Sequence, residues 1–185
     1  MPYKLFDKDG LEKTQHDLQD KGPWCLHGAS KEEIFVNNYG EQFSIVINPE
    51  KLTNPYAPDL LNTSKTVVCD LKTQNTPFFQ ARIRYDIDPQ YAVTFNVKDY
   101  NRYSTLYPSI EIYFWVYWEI VKFQGSTAIE VQPMEGVWFI PFQDLKEVIK
   151  ISPKHTYQQR VGDTRGNALD SYVLDLQNPL FTKII

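Results

Sequence analysis

Two acidic residues and one lysine form the pattern in this chain that best indicates a chemical function. Asp70 and Lys72 close an apolar run at residues 66–69, and ten residues separate Asp70 from Asp59. The run is rich in β-branched residues, so it predicts a strand. Because side chains alternate along a strand, Asp70 and Lys72 would share one side of it and Leu71 the other. Two hard oxygen ligands and one cation suit Mg²⁺-assisted attack on a phosphate.

A helix that carries an acid is predicted upstream of these residues. Ser30 is a suitable N-cap, and Glu33, three positions later, completes the pattern of a capping box. Gly40 is expected to end this helix. A strand at 43–47 and a turn at 62–64 then lead to the strand of Asp70.

The rest of the chain predicts a mixture of helices and strands on one sheet. A short helix is expected within 1–22, and further helices at 78–85 and 143–151. Strands are expected at 91–97, 110–121, 136–142 and 172–176, and a loop at 154–167. This order predicts an α/β or α+β fold with a central mixed β-sheet flanked by helices. We expect one domain over 1–185, with its core at about 30–150.

The segment from Glu33 to Lys72 resembles the PD-(D/E)xK nuclease superfamily, which includes many restriction endonucleases and repair or phage nucleases. The motif stands here as Pro58-Asp59, ten residues, and then Asp70-Leu71-Lys72. A second Asp-x-Lys triplet, Asp144-Leu145-Lys146, lies in a predicted amphipathic helix and lacks this context. The resemblance implies a restriction-endonuclease-like core.

The resemblance also implies a role for each site residue. Asp59 and Asp70 would hold Mg²⁺, helped by the carbonyl group of Leu71, and Mn²⁺ would substitute for it. Lys72 would orient or activate the attacking water, or stabilise the developing negative charge. Glu33 would hold a water molecule on the metal or a second ion. The alternative for Glu33 is a helix cap, and the alternative for Asp70 and Lys72 is a surface ion pair.

The function expected from this resemblance is that of a Mg²⁺-dependent DNA endonuclease of the restriction, phage or repair type. Duplex DNA is the expected substrate, and a homodimer is expected because cutting both strands often uses two active sites. The first alternative is a noncatalytic binding or assembly protein on a mixed α/β fold. The second is a glycosidase that uses Glu111, Glu119 or Glu130.

Contacts with DNA would come from basic side chains, because the chain as a whole has a net charge of −4 and no global basic field. Phosphate groups are the expected partners of these side chains. The candidates are Arg82, Arg84, Lys98, Arg102, Lys154, Arg160 and Arg165.

The cysteine content and hydropathy predict a cytoplasmic protein. Cys25 and Cys69 are far apart, and with no secretory segment before them they are expected to be reduced thiols. The spacing of the two cysteines and three histidines argues against a structural zinc site. No apolar stretch reaches the length needed to span a membrane, so no membrane partner is expected.

Overall fold

The computed structural model describes residues 3–13, 30–157 and 170–185. Asp70 and Lys72 both lie on a strand of its largest sheet. The elements up to that strand are β1 (Lys4–Asp7), β2 (Glu12–Lys13), α1 (Lys31–Phe43), β3 (Ile45–Ile47), a 3₁₀ helix (Pro49–Leu52), β4 (Leu60–Asn62) and β5 (Val68–Gln74).

The elements after β5 alternate between helices and strands. They are α2 (Ala81–Tyr85), β6 (Ala92–Asn96), α3 (Val97–Leu106), β7 (Glu111–Tyr117), β8 (Ile120–Gln124), β9 (Ala128–Glu130), β10 (Glu135–Pro141), α4 (Phe142–Ile151), β11 (Lys154–Thr156), β12 (Asp170–Asp175) and β13 (Thr182–Lys183). The prediction of a mixed α and β fold is confirmed at this level.

The largest sheet has six strands in the order β13-β10-β7-β5-β4-β3. β5 and β7 run parallel, and the other neighbouring pairs are antiparallel. Two smaller sheets have the orders β2-β1-β8-β9 and β11-β12-β6. The expected mixed sheet is therefore present, and β5 lies inside it with a partner on each side.

Apolar residues cover both faces of the six-stranded sheet. Phe35 of α1 packs on one face against Leu71 and Trp115. On the other face, Ile112 and Phe114 belong to a core that also includes residues of β6, α3, α4 and β12. In the register of β5 and β7, Asp70 lies beside Ile112 and Lys72 beside Phe114. The side chains of Asp70 and Lys72 therefore project away from α1, into the face that α3 covers.

Helix α1 begins as the capping-box pattern predicts. The backbone N–H of Glu33 donates to the Ser30 hydroxyl over 3.2 Å, and the Ser30 N–H donates to the Glu33 carboxylate over 2.6 Å. The helix does not end at Gly40 as expected, but continues to a left-handed C-cap at Ser44. Gly40 is buried, and a Cβ atom there would lie 3.0 Å from the carbonyl oxygen of Ile45, so a close approach explains this glycine.

Replacing Ser30 by alanine is expected to lower the free energy of unfolding by about 1 kcal/mol, because the N–H of Glu33 loses its acceptor. Urea denaturation of the wild type and the variant measures this difference. Ser109→Ala, at an exposed position, is the control and should be near neutral. Equal stability of S30A and the wild type would contradict the assigned cap.

Two sequence-based elements, the N-terminal helix and the strand at 110–121, are wrong in type or extent. Residues 4–13 form the hairpin of β1 and β2 rather than a helix, and residues 14–22 lie outside the described part. The single strand predicted at 110–121 is two strands in different sheets, because the backbone turns aside at Trp118 and Glu119. Their N–H groups donate to the carbonyls of Met134 and Asn75, respectively.

Helix α3 is absent from the sequence-based prediction, and the helix expected at 78–85 is limited to Ala81–Tyr85. The predicted loop at 154–167 begins instead with the short strand β11, and residues 158–169 lie outside the described part. Among the helices that are described, none is both long and apolar enough to cross a lipid bilayer.

Candidate functional site

Asp59 and Asp70 are cross-strand neighbours on one face of the main sheet. The antiparallel register of β4 and β5 pairs Leu60 with Cys69. Asp59 directly precedes β4, so continuing this register by one residue places it opposite Asp70. Directly opposed residues have Cβ atoms about 5 Å apart. Asp59 is held further by its Oδ2 atom, which accepts the Leu71 N–H over 3.2 Å. The short hairpin thus brings together the two acids that the sequence separates by ten residues.

Lys72 joins the two acids from the same strand and the same face. Its Nζ atom lies 2.6 Å from Oδ2 of Asp70. The side chain of Asp70 is 3% exposed and that of Lys72 is 22% exposed. The structure therefore brings Asp59, Asp70 and Lys72 to one place, with Asp70 at the buried end and the lysine closer to solvent.

Helix α3 adds three residues that the sequence-based prediction did not assign to this cluster. Oδ2 of Asp99 lies 2.6 Å from the Lys72 ammonium group, and its Oδ1 accepts from Arg102 over 3.0 Å. The hydroxyl oxygen of Tyr103 accepts from Arg102 over 2.9 Å and from Lys72 over 3.4 Å. Lys72 is thus held between a carboxylate of the sheet and one of the helix.

The loop before β4 contributes a second lysine. Lys51, on the 3₁₀ helix, contacts Oδ1 of Asp59. Asn48 fixes the base of this loop, because its backbone N–H donates to the carbonyl of Asp59 over 3.0 Å and its side chain to that of Pro58 over 2.9 Å. We call Lys51, Asp59, Asp70, Lys72, Asp99, Arg102 and Tyr103 the acid–lysine cluster.

Burial and charge act in opposition in the cluster. Burial raises the pKa of Asp70, and the Asp59 charge raises it further, whereas the Lys72 charge lowers it. The net result is a pKa above the usual value, at about 6. Burial lowers the pKa of Lys72, but the nearby charges, that of Asp70 foremost, outweigh this effect and raise it overall. Lys72 therefore carries its positive charge at neutral pH, whereas the charge of Asp70 has a cost in the folded protein.

One carboxylate oxygen of the cluster is fully buried. Oδ2 of Asp70 lies 2.6 Å from Lys72 Nζ, and no other donor among the described residues bonds to it. A buried carboxylate beside a second carboxylate offers the hard oxygen ligands that a divalent cation prefers. Within the described ranges, no three His, Cys, Asp or Glu side chains are grouped to hold a metal ion. Asp59 and Asp70 supply two carboxylates, and Mg²⁺ often binds one or two carboxylates and keeps several waters.

Glu33 was expected beside the proposed metal ligands, but it lies away from the acid–lysine cluster. Its carboxylate caps α1, which packs on the opposite face of the sheet. Lys31, at the start of α1, donates to the hydroxyl of Tyr117. Tyr117 is the last residue of β7, whereas Asp70 pairs with Ile112 near its first residue. The capping-box alternative for Glu33 is the one that the structure supports.

Of the basic residues expected to meet DNA, Arg102 lies in the cluster. Lys98 is exposed on the same helix, next in sequence to Asp99. The other described candidates are engaged locally: Arg82 with Asp86 and Asp88, Arg84 with Gln80, and Lys154 with Asp170. Arg160 and Arg165 lie outside the described residues.

Two of the carboxylates considered for a glycosidase, Glu111 and Glu119, lie far apart. Glu111 begins β7 and Glu119 follows its end, which separates their backbones by roughly 20 Å. Glu130 lies on β9, in another sheet. A pair of carboxylates for glycoside hydrolysis must lie within about 10 Å, so Glu111 and Glu119 do not form such a pair.

Comparisons of the chain with protein-family models, with curated proteins and with solved structures found no significant match. The functional argument therefore depends on the geometry of the acid–lysine cluster.

Proposed function

We propose that this protein is a Mg²⁺-dependent endodeoxyribonuclease that hydrolyses duplex DNA and has a restriction-endonuclease-like core. The observation that carries the proposal is the meeting of Asp59, Asp70 and Lys72 on one face of the sheet. These are the residues of the Pro-Asp and Asp-x-Lys motifs. The mixed sheet with helices packed on both faces is compatible with the proposed core.

Each residue of the cluster has its own role in the proposed reaction. Asp59 and Asp70 would hold Mg²⁺, and Leu71 fixes Asp59 through its backbone N–H. Bound Mg²⁺ would neutralise charge on the phosphate and lower the pKa of a nearby water. Lys72, a cation held by two carboxylates, is suited to orient the attacking water and to stabilise negative charge that develops on the phosphate. Asp99 positions Lys72 for this task.

A noncatalytic binding or assembly protein is the second candidate, and one observation favours it. The acids of the cluster already have cations within the protein: Lys51 for Asp59, Lys72 for Asp70 and Asp99, and Arg102 for Asp99. In this case the cluster is a partly buried ion-pair network that fixes α3 on the sheet.

Incubation of the protein with supercoiled plasmid distinguishes the two candidates. We expect nicked and linear products with Mg²⁺ or Mn²⁺ and none with EDTA. Asp59→Asn should cut at least about tenfold more slowly, because a metal ligand has lost its charge.

The matched control is Asp144→Asn in the second Asp-x-Lys triplet, which lies on α4 and should leave cleavage unchanged. An absence of metal-dependent cleavage of plasmid, linear duplex and single-stranded DNA would contradict the nuclease and favour the noncatalytic candidate. If D59N and D144N lost cleavage activity equally, the assignment of the site to Asp59 would be wrong.

A further inference from the structure

We propose that Lys51 is an internal competitor for divalent cations: its ammonium group occupies Asp59, and a divalent cation must displace it to bind there. This inference rests on the proposed metal role of Asp59 and Asp70. It adds a regulatory feature to that site, because the occupancy of the site by metal then depends on a lysine outside the Asp-x-Lys motif.

The two oxygens of Asp59 are held in different ways. Oδ2 accepts the Leu71 N–H over 3.2 Å, and that donor belongs to a central strand of the sheet. Oδ1 contacts Lys51, whose side chain is 30% exposed. Oδ1 is therefore the oxygen of Asp59 whose partner can move away while the sheet stays intact, and a cation that binds there competes with Lys51.

The loop that carries Lys51 allows this departure. Asn48 anchors the loop through its bonds to Asp59 and Pro58, and neither bond involves Lys51. Leu52 and Tyr56 in the same loop are 89% and 66% exposed, so few core contacts restrain the segment. Rotation of the Lys51 side chain into solvent would leave both anchoring bonds in place.

The charge of Lys51 opposes metal binding in two ways. It occupies a ligand oxygen, and it repels a second cation at the same carboxylate. Partly exposed ion pairs contribute little energy, and water and salt reduce the repulsion. Removing the charge is therefore expected to tighten binding by roughly 2- to 5-fold.

Titration of the full chain with Mn²⁺ alone, without DNA, tests the proposal by isothermal calorimetry. We expect Lys51→Met to bind Mn²⁺ about 2- to 5-fold more tightly than the wild type, while Lys51→Arg, which keeps the charge, stays close to the wild type. Lys150→Met is the matched control, because it removes a lysine from an ion pair with Glu147 on α4, away from the cluster; it should change nothing. Circular dichroism of each variant without metal checks that it folds.

A fourth variant separates failure of this inference from failure of the proposed function. If Asp59→Asn binds Mn²⁺ as tightly as the wild type, or if neither the wild type nor K51M binds it, the metal site is wrong and the inference falls with it. If D59N loses binding but folded K51M binds no more tightly than the wild type, only the role of Lys51 is overturned. Measurable binding in K51M alone supports competition.

Discussion

Replacing Asp70 by asparagine is expected to lower Mg²⁺-dependent DNA cleavage at least about 100-fold without unfolding the protein. Asp70 is the most buried carboxylate of the acid–lysine cluster, its Oδ2 atom lies 2.6 Å from the Lys72 ammonium group, and asparagine has nearly the same shape. Lys72 keeps Asp99 as a partner after the substitution. The charge that the proposed chemistry needs is therefore removed, while the packing around it stays close to that of the wild type.

The same variant should show that the Asp70 charge costs stability. The folded-state pKa of Asp70 is about 6, above its usual value of 3.8. A carboxyl group with a raised pKa contributes stability at low pH, and that contribution is lost as the pH rises through the folded-state value. Between about pH 4 and pH 7 the wild type should therefore lose stability relative to D70N, by on the order of 2 kcal/mol.

Plasmid cleavage and metal-free urea denaturation at several pH values measure the two effects. Asp144→Asn is again the control, since its carboxylate belongs to the Asp-x-Lys triplet on α4. Cleavage by D70N at the rate of the wild type would exclude Asp70 from the site. A loss of stability in D70N that grows with pH would show that the Asp70 charge stabilises the fold.

The sequence made Asp59, Asp70 and Lys72 predictable because their arrangement depends on local rules. Alternation along β5 puts Asp70 and Lys72 on one face. The hairpin of β4 and β5 has a short turn, so the chain returns Asp70 to the side of Asp59. The register is set by Leu60 and Cys69, which are both buried on the opposite face.

Asp99 and Tyr103 were missed, and Arg102 was expected only as a DNA contact, because their place in the cluster depends on a helix with weak sequence signals. Tyrosine, asparagine, serine and threonine, which are poor helix formers, make up half of α3. The helix forms because Tyr103 is buried in the core, a tertiary effect that overrides propensity. The spacing of Asp99 and Arg102, three residues apart, was the one available signal.

Glu33, in contrast, was predicted to lie at the site but does not. Its spacing from Ser30 correctly predicted the cap, which is a contact within a few residues. Its position before the motif carried no information about which face of the sheet α1 would cover. That choice is made by Phe35, which is buried against Tyr113 and Trp115.

Replacing Lys72 by methionine is expected to destabilise the metal-free protein by about 3–5 kcal/mol. The Lys72 ammonium group lies 2.6 Å from both Asp70 and Asp99, whose side chains are 3% and 14% exposed. Methionine fills a similar volume, so the effect comes mainly from the lost charge. Asp99 keeps Arg102 as a partner, so most of the cost falls on Asp70. Loss of partners for charges buried to this degree costs far more than loss of a surface ion pair.

The pH dependence of this loss identifies its cause. Without Lys72 the pKa of Asp70 should rise further, so the carboxyl group is neutral over a wider range of acidic pH. The deficit of K72M relative to the wild type should then be smallest below about pH 4 and grow as the pH rises through the folded-state pKa of Asp70. Urea denaturation measures this deficit, with Lys146→Met of the second triplet as the control.

The double variant D70N/K72M should recover part of the loss, because one uncompensated charge is removed. A deficit independent of pH and unchanged in the double variant would assign the effect of Lys72 to packing over Phe95 and Tyr103 rather than to charge.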